Sequence, residues 1–302
     1  MFKKNIFVII VFCLIFIFSS CDNANINNNR KSSKIKVVVS FNAMAEFAQA
    51  IGKDKIDVQL IIPEGTEPHQ YEPTAKDIQN LSNARIFIYN GLNLETWVDK
   101  SLNAVDNKNL LVVNASTGCT PITTNGTELV SKNSQDDPHL WMSLKGAEIE
   151  AKNIKDALIK ADPSNKSYYE KNYSDYYNSL EKLFTEYNNK ISKIKNKDFV
   201  TGHAAFAYLC RDFGLKQNSV QDVFADGEPS PQKMTELINF CKLNKVKTIF
   251  TENMASQKVS ETLAAYVNAK TVKIYTIESK EDKKDYLQSM QYNLEAIYNS
   301  LK

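Results

Sequence analysis

The sequence predicts an α/β protein of two βα lobes, each a mostly parallel sheet flanked by helices, joined by one long rigid helix. Three observations favour this fold. Short β-branched runs alternate with helical patterns in both halves of the chain, and about 26 residues between the halves carry continuous helical periodicity. The length of 302 residues also suits two units of about 150 residues each.

The composition is that of a globular protein. Apolar residues make up 43% of the chain, and only nine Gly and eight Pro exclude collagen-like and low-complexity classes. Lys and Arg total 37 against 35 Asp and Glu, which leaves a formal charge of +2. A nucleic-acid-binding protein would carry a stronger basic excess, so no nucleic-acid partner is expected.

Residues 1–20 have the pattern of a lipoprotein signal peptide. A Lys-Lys pair precedes thirteen apolar residues at positions 6–18, and the junction Ser-Ser-Cys then ends at Cys21. The apolar run is shorter than the roughly 20 residues of a membrane-spanning helix. We therefore expect cleavage before Cys21 and lipidation of that cysteine, with ordinary signal cleavage or an uncleaved anchor as the alternatives. The protein would then be extracytoplasmic and anchored to the cell membrane.

Residues 21–34 are polar and rich in Asn, without apolar periodicity. Such a segment cannot bury enough apolar surface to fold, so it is predicted to be a lipidated, disordered tether. Removal of the two signal lysines leaves 35 basic and 35 acidic side chains. The net positive charge therefore belongs to the signal.

Residues 35–165 are predicted to form the N-terminal metal-binding lobe, in which strands and helices alternate. The strand KIKVVVSF precedes the helix AMAEFAQAIG, and the strand KIDVQLIIP precedes the helix TAKDIQNLSNA. The strand RIFIYNG, a helix near LETWVDKSLNAV and the strand LLVVNAS continue the same rhythm. Residues 116–135 are polar and predict a surface loop or small hairpin.

Residues 166–196 are predicted to form the linking helix. Apolar and aromatic residues recur there at intervals of three and four, and the set is Tyr169, Tyr173, Tyr176, Leu180, Leu183, Tyr187, Ile191 and Ile194. A helix of this length spans about 40 Å, enough to run the height of both lobes. A dimeric coiled coil is the alternative, but four of the eight positions are Tyr, which favours packing inside one chain.

Residues 197–302 are predicted to form the C-terminal metal-binding lobe. The segments DFVTGHAAFAYLCRDFG, SPQKMTELINFCKLNK and VKTIFTE indicate a strand and helix, a helix, and a strand. KVSETLAAYVNA, KTVKIYTI and KKDYLQSMQYNLEAIYNSL add a helix, a strand and a closing helix. Three cysteines, Cys119, Cys210 and Cys241, would remain in the exported chain, and we expect Cys210 and Cys241 to be small buried apolar residues.

The chain contains three histidines, and each lies beside a loop signal. His69 follows the strand VQLIIP, His139 lies in DDPHLW before a helix, and His203 follows the strand DFV. Ligand sites in open α/β sheets lie beyond the carboxyl ends of strands, where His69 and His203 fall. A single histidine is more often a hydrogen-bonded buried residue than a metal ligand. Three imidazoles with a carboxylate would instead suit zinc or another divalent transition metal.

Five segments carry a family resemblance: PEGTEPHQYEPTAKDIQNLSNARIFIYNGLNLETW, DDPHLWMS, TGHAAFAYLCRDFGL, GEPSPQKMTELI and IFTENMASQKVSETLA. They resemble the cluster A-I solute-binding proteins, the metal-binding lipoproteins of bacterial zinc and manganese ABC transporters. The resemblance implies two βα lobes joined by a rigid helix, with one divalent metal ion held between them. It also implies delivery of that metal to an ABC permease and its ATPase.

The resemblance also implies the ligands. The first three positions match His69, His139 and His203, and histidine at the third position favours Zn²⁺ over the alternative, Mn²⁺. The fourth, acidic ligand matches Glu278 best. The other acidic residues of that loop, Glu281, Asp282 and Asp285, or a water molecule, stay open as alternatives.

Further acidic residues are expected to support the ligands. Glu252 stands at a strand end in FTEN and is assigned to the cleft wall or to a hydrogen bond with a metal-bound histidine. Glu72, Asp136 and Asp137 are further candidates for that role, with turn capping or solvation equally open for each. Trp97 and Trp141 are expected to pack the lobes.

The sequence therefore predicts a monomeric binding protein for Zn²⁺, and no enzyme. A three-histidine zinc hydrolase is the alternative from another class, but no H-E-x-x-H helix or similar catalytic pairing occurs. Adhesion is a possible added role, since some surface lipoproteins of this family are adhesins. Residues 116–135 contain no histidine, so a metal-collecting loop is not predicted.

Overall fold

The first sheet has four parallel strands in the order β2-β1-β3-β4. They are β1 (Ile35–Val39), β2 (Ile56–Leu60), β3 (Ile86–Tyr89) and β4 (Leu111–Asn114). The helices between them are α1 (Asn42–Gly52), α2 (Ala75–Ser82) and α3 (Val98–Ala104). Val37 to Val39 in the β1 strand and Ile86 to Ile88 in the β3 strand are buried, as expected when helices cover both faces of a parallel sheet.

This computed structural model describes residues 34–124, 135–225, 229–253 and 257–302, and residues 34–302 belong to one compact unit. The predicted signal peptide, Cys21 and the tether up to residue 33 lie outside the described residues. No helix in the described part of the chain is long and apolar enough to cross a membrane.

A short antiparallel pair and two long helices connect the first sheet to the second. The pair consists of β5 (Thr123–Thr124) and β6 (Gln135–Asp136), and the helices are α4 (Leu144–Ala161) and α5 (Lys166–Ile191). Ser143 caps the amino end of α4, since its hydroxyl accepts a hydrogen bond from the Gly146 amide at 2.9 Å. The sequence pattern extends to Ile194, but the α5 helix ends at Ile191.

The second sheet repeats the first, with parallel strands in the order β10-β9-β7-β8. They are β7 (Asp198–Thr201), β8 (Lys216–Ser219), β9 (Thr248–Thr251) and β10 (Lys270–Lys273). The helices are α6 (Ala207–Phe213), α7 (Pro231–Leu243), α8 (Gln257–Val267) and α9 (Tyr286–Ser300). The predicted fold class, two parallel-sheet βα lobes with flanking helices, is confirmed.

The α5 helix packs against α1 and α4 from the first half and α9 from the second. Its inward side chains Tyr169, Leu180 and Tyr187 are buried within the same chain. Residues of both lobes, for example Phe47 and Tyr286, belong to one continuous apolar core. Because that core crosses the lobe boundary, a large opening of the lobes would expose apolar surface to water.

The outer part of the second lobe has a small apolar cluster of its own. It lies under α7 and α8 and comprises Val200, Val220, Leu237, Cys241, Ile249, Leu263 and Ala264. Cys210 and Cys241 are both buried, as expected, and Cys119 is half-buried. All three thiols are free among the described residues.

Candidate metal centre

The carboxyl ends of strands from both sheets converge on one point between the lobes. His69 lies in a 3₁₀ turn (Pro68–Gln70) beyond β2, and His139 immediately precedes another (Leu140–Met142). His203 follows β7 by two residues, and Glu278 follows β10 by five. Side chains far apart in sequence meet here because parallel strands of a sheet end at the same edge.

One donor atom from each of His69, His139, His203 and Glu278 lies within 4.8 Å of the other three. The Nε2 atoms of His139 and His203 are 3.4 Å apart, and His139 Nε2 is 3.9 Å from Glu278 Oε1. Tetrahedral zinc with bonds of 2.0 to 2.1 Å places its donors about 3.3 Å from one another. A small contraction of this cluster would therefore give a four-coordinate zinc site.

The cluster is shielded from solvent. The side chains of His139, His203 and Glu278 are 0%, 2% and 1% exposed, and that of His69 is 4% exposed. Water therefore competes weakly for the four donors, and electrostatic interactions between them are strong.

Asp137 orients the ring of His139. Its Oδ1 atom lies 2.9 Å from His139 Nδ1 and also accepts a hydrogen bond from the His139 amide at 2.9 Å. A carboxylate at this position selects the tautomer with hydrogen on Nδ1, which leaves the Nε2 lone pair facing the cluster. Both lobes hold the loop that carries Asp137 and His139. Asn90 of the first lobe donates to the Pro138 carbonyl, and Tyr208 of the second donates to the Asp137 carbonyl.

Glu252 performs the same task for His203. One carboxylate oxygen contacts His203 Nδ1, and the other accepts hydrogen bonds from the amides of Gly202 and His203 at 3.0 and 3.1 Å. Glu252 is buried at the carboxyl end of β9. The second imidazole is therefore also turned with Nε2 toward the centre.

Glu278 lies on a loop of the second lobe, and this loop is hydrogen-bonded to the first lobe. Thr276 donates a hydrogen bond to Glu278 Oε2 at 2.7 Å, which directs Oε1 toward the histidines. Asn42 donates to the carbonyl of Ile277, and the Gly65 amide donates to the Ser279 hydroxyl. These contacts to the first lobe, on both sides of Glu278, hold its carboxylate in place.

The protonation equilibria of the three imidazoles differ. Burial lowers the pKa of His69 well below its usual range, and the neighbouring His139 and His203 lower it further. Burial also lowers the pKa of His139, although Asp137 partly opposes this effect. Burial alone would lower the pKa of His203 too, but Glu252 and, less strongly, Glu278 and Glu67 raise it to about 9. His203 is therefore the imidazole that carries a proton in the metal-free cluster at neutral pH.

Glu278 retains its proton more strongly than an ordinary glutamate. Burial raises its pKa, and the nearby His203 charge and the Thr276 hydrogen bond oppose that rise. A cation placed between the four donors would favour the charged carboxylate and the neutral imidazoles.

Two donor atoms of the cluster are buried without a hydrogen-bond partner, namely His69 Nε2 and Glu278 Oε1. An unsatisfied buried nitrogen or oxygen costs free energy unless a ligand or water completes it. Both atoms face the same point, and three imidazoles with one carboxylate are ligands that zinc accepts. The residues present therefore fit a divalent metal ion.

Comparison with known proteins shows the family of this chain. The family described as "ZnuA: Zinc-uptake complex component A periplasmic" matches residues 37–300. The chain belongs to this family. The match spans both sheets and all four residues of the cluster.

Individual ZnuA-family relatives are similar over almost the whole chain. The high-affinity zinc uptake system protein ZnuA of Bacillus subtilis is 37% identical over 315 residues, covering 100% of this chain and 99% of that one. The Zn(II)-bound ZnuA-like domain of Streptococcus pneumoniae AdcA superposes with a TM-score of 0.76 at 34% identity, covering 89% and 99% of the two chains. The Streptococcus agalactiae laminin-binding protein Lmb, described as having adhesin and metal transporting activity, superposes with a TM-score of 0.82 at 33% identity, covering 89% and 100%.

The other acidic candidates in this ZnuA-family chain lie elsewhere. Asp282 accepts a hydrogen bond from Tyr275, Glu281 from Asn253, and Asp285 caps the α9 helix. Glu72 is exposed, and no hydrogen bond joins it to a cluster histidine within the described ranges. Asp136 accepts a hydrogen bond from Thr123 instead. The structure thus brings Glu278, Asp137 and Glu252 to the histidines and leaves the others outside.

The two tryptophans pack differently. Trp141 lies between the lobes, since its indole N–H donates to the Thr276 carbonyl at 2.8 Å and its ring centroid is 5.0 Å from that of His139. Trp97 instead packs inside the first lobe, against Tyr71 and Phe87. As expected, both tryptophans pack in the lobes: Trp141 packs between the two lobes, and Trp97 packs within the first.

Two neighbours of His69 were not predicted from the sequence. Glu67 accepts a hydrogen bond from the His69 amide, and its Oε1 atom lies 3.9 Å from His69 Nε2. The position of Glu67, two residues before His69 in the sequence, could have indicated this contact. Phe224, from the loop after β8, packs edge-on against the His69 ring, and no sequence signal marks that contact.

Proposed function

We propose that this protein is the extracytoplasmic binding component of a zinc ABC transporter. It captures Zn²⁺ between residues 35–165 and 197–302, linked by residues 166–196, and delivers the ion to a permease driven by an ATPase. The observation that carries the proposal is the buried convergence of three imidazoles and one carboxylate within 4.8 Å. Membership of the ZnuA family supports the transport role.

His69, His139, His203 and Glu278 bind the metal in this proposal. Asp137 and Glu252 hold two of the imidazoles with their Nε2 atoms inward before any metal arrives. Preorientation lowers the entropy lost when the ion binds. Zinc is favoured over Mn²⁺ because three nitrogen donors dominate the set, whereas manganese accepts sites richer in oxygen.

The same donor set supports binding without catalysis. A catalytic zinc site has three protein ligands and keeps one position for water, whereas four protein donors close a tetrahedral site. In this proposal the zinc ion is cargo, and the chain acts as a monomer that holds and releases it. A hydrolase would need the Glu278 position to be open to water.

Attachment to the membrane is proposed through a lipid on Cys21 after removal of residues 1–20. A serine at position 21 would abolish lipidation while leaving residues 34–302 unchanged. Cys21→Ser should therefore abolish the incorporation of labelled fatty acid into the protein. Incorporation that persists in the variant would contradict lipidation of this cysteine.

Metal identity is tested by elemental analysis and competitive Zn²⁺ and Mn²⁺ titration of the chain from Asp22, with His203→Ala and the exposed Glu72→Ala as matched variants. One tightly held zinc, lost in His203→Ala and kept in Glu72→Ala, is the expected result. Preferential retention of manganese would assign the protein to manganese uptake. Absence of a stoichiometric metal would overturn the proposal.

A further inference from the structure

The second lobe carries a row of lysines at the edge of its sheet that faces away from the histidines. The carboxyl ends of β7, β9 and β10 face the metal centre, so their amino ends point in the opposite direction. Lys216 donates its amide to the Lys197 carbonyl, and Lys270 donates to the Lys247 carbonyl. These backbone hydrogen bonds between adjacent strands place the four lysines along one edge.

The turns that enter these strands extend the row, which we name the lysine edge. It consists of the seven exposed lysines of the row, without the half-buried Lys197: Lys193, Lys195, Lys216, Lys242, Lys245, Lys247 and Lys270. None of the seven ammonium groups has a carboxylate within ion-pair distance among the described residues. Asp198, half-buried at the start of β7, is the acidic residue placed in the row itself. Since the exported chain has balanced charges, this edge is a local basic excess.

Two apolar side chains are exposed at the same edge. Leu243, in the last turn of α7, is 83% exposed, and Tyr266, in the last turn of α8, is 66% exposed. The two helices pack against each other and end where their strands begin. The other large apolar side chains exposed in the described ranges, Val112 and Tyr177, are 39% and 37% exposed. The two most exposed apolar side chains thus lie among the lysines.

Local backbone stability does not explain the whole pattern. Cations near a helix carboxyl terminus interact favourably with the helix dipole, which accounts for Lys242. Lys245, however, has φ of 51°, where glycine or asparagine is the more stable choice. Lys216, Lys247 and Lys270 begin or precede strands, where no helix dipole acts on them.

We propose that the lysine edge, with Leu243 and Tyr266, binds the surface of a membrane rich in anionic phospholipid. Lysines attract phosphate headgroups, and their attraction adds up within about one Debye length of the surface, about 8 Å at physiological salt. The leucine and tyrosine enter the interface, where amphipathic side chains are favoured. A soluble polyanion would supply the charge but no apolar phase, so the apolar pair favours a bilayer.

The consequence concerns orientation. With this edge on the lipid, the strand ends that carry His203, Glu252 and Glu278 face away from the bilayer, toward the aqueous phase that supplies the metal. Contacts formed by exposed lysines are weakened by salt, so the chain can leave the surface to meet a permease. This inference depends on neither zinc binding nor lipidation at Cys21, because all the residues it uses lie outside both.

The test measures cosedimentation of the unlipidated chain from Asp22 with two kinds of vesicle. One is pure phosphatidylcholine, and the other is two thirds phosphatidylcholine and one third phosphatidylglycerol. We expect the chain to bind only the vesicles that contain phosphatidylglycerol, and we expect this binding to weaken as the salt concentration is raised. The edge variant neutralises four lysines by Lys242→Gln, Lys245→Gln, Lys247→Gln and Lys270→Gln. The control variant removes the same charge from exposed, unpaired lysines elsewhere by Lys76→Gln, Lys100→Gln, Lys108→Gln and Lys160→Gln.

The edge variant should lose at least tenfold in vesicle affinity, and the control variant should bind as the parent does. Leu243→Ser with Tyr266→Ser should lower vesicle affinity severalfold and leave binding to soluble polyphosphate unchanged. The circular dichroism spectrum and the thermal unfolding midpoint, measured in parallel, should be the same in all variants and so report correct folding. The proposal is overturned by absence of vesicle binding, by equal losses in the edge and control variants, or by polyphosphate binding that matches vesicle binding and ignores the apolar pair.

Discussion

The ring of Phe224 packs edge-on against the ring of His69, with 5.7 Å between the two centroids and an interplanar angle of 85°. His69 belongs to the first lobe and Phe224 to the loop that follows β8 in the second. Asp222 orders the turn that carries Phe224, since its side-chain Oδ1 accepts a hydrogen bond from the Phe224 amide and its carbonyl accepts one from the Ala204 amide. An apolar ring thus covers one of the proposed zinc ligands from the opposite lobe.

Removal of that ring should speed the loss of zinc. Phe224→Ala exposes His69 to water and removes an aromatic contact, which predicts a dissociation rate about 2- to 10-fold higher. The rate is measured by stopped-flow transfer of zinc to a chromophoric chelator. Tyr177→Ala, which truncates an exposed aromatic residue on α5, is the control and should dissociate as the parent does. Equal rates for the parent and Phe224→Ala would show that the ring does not limit release.

Zinc binding should release protons at neutral pH. The pKa of His203 is raised to about 9, so this imidazole is protonated in the metal-free chain and must lose its proton when it ligates. Burial also raises the pKa of Glu278, so this carboxyl group contributes to the proton release. Affinity should therefore increase from about pH 6 to about pH 8, by about tenfold per unit for each displaced proton. Titration calorimetry in buffers of different ionisation enthalpy counts the protons, and a count of zero would contradict this assignment.

Glu252→Gln should weaken zinc binding by about 10- to 100-fold, because the amide cannot stabilise an imidazole as the buried carboxylate does. The same change removes the charge that raises the pKa of His203, so fewer protons should be released at neutral pH. A purely structural role for Glu252 would alter affinity without altering the proton count. Glu72→Gln, an exposed glutamate on the loop after His69, serves as the control.

The four proposed ligands should not contribute equally. Glu278→Ala leaves three imidazoles, and water can complete the tetrahedron, whereas His69→Ala removes a nitrogen donor. The loss of zinc affinity in His69→Ala should exceed that in Glu278→Ala by at least about tenfold. Glu281→Ala, on the same loop, should bind as the parent does, since Glu281 interacts with Lys273 and Asn253 instead. Equal losses in the histidine and Glu278 variants would contradict this ranking.

The fold class could be predicted because it depends on short-range patterns, and the family resemblance indicated the three histidines. The buried valines of the β1 strand and the helical spacing from Tyr169 to Ile191 are visible in any window of a few residues. His69 and His203 follow predicted strands, and parallel strands end at one edge whatever the details of packing. Sequence alone therefore determined the two-lobed α/β architecture and the region where the histidines meet.

The tertiary structure decided which other side chains reach that region. Glu278 and Glu281 are three residues apart on one loop, and the loop backbone, with Ile277 at φ of 60°, turns Glu278 inward while Glu281 contacts Lys273. Phe224 reaches His69 only because the two lobes are packed together. The lysine edge likewise forms from four separate strand starts that strand pairing aligns. Such contacts depend on loop conformation and strand order, which are set by interactions between residues far apart in the chain and leave no local pattern.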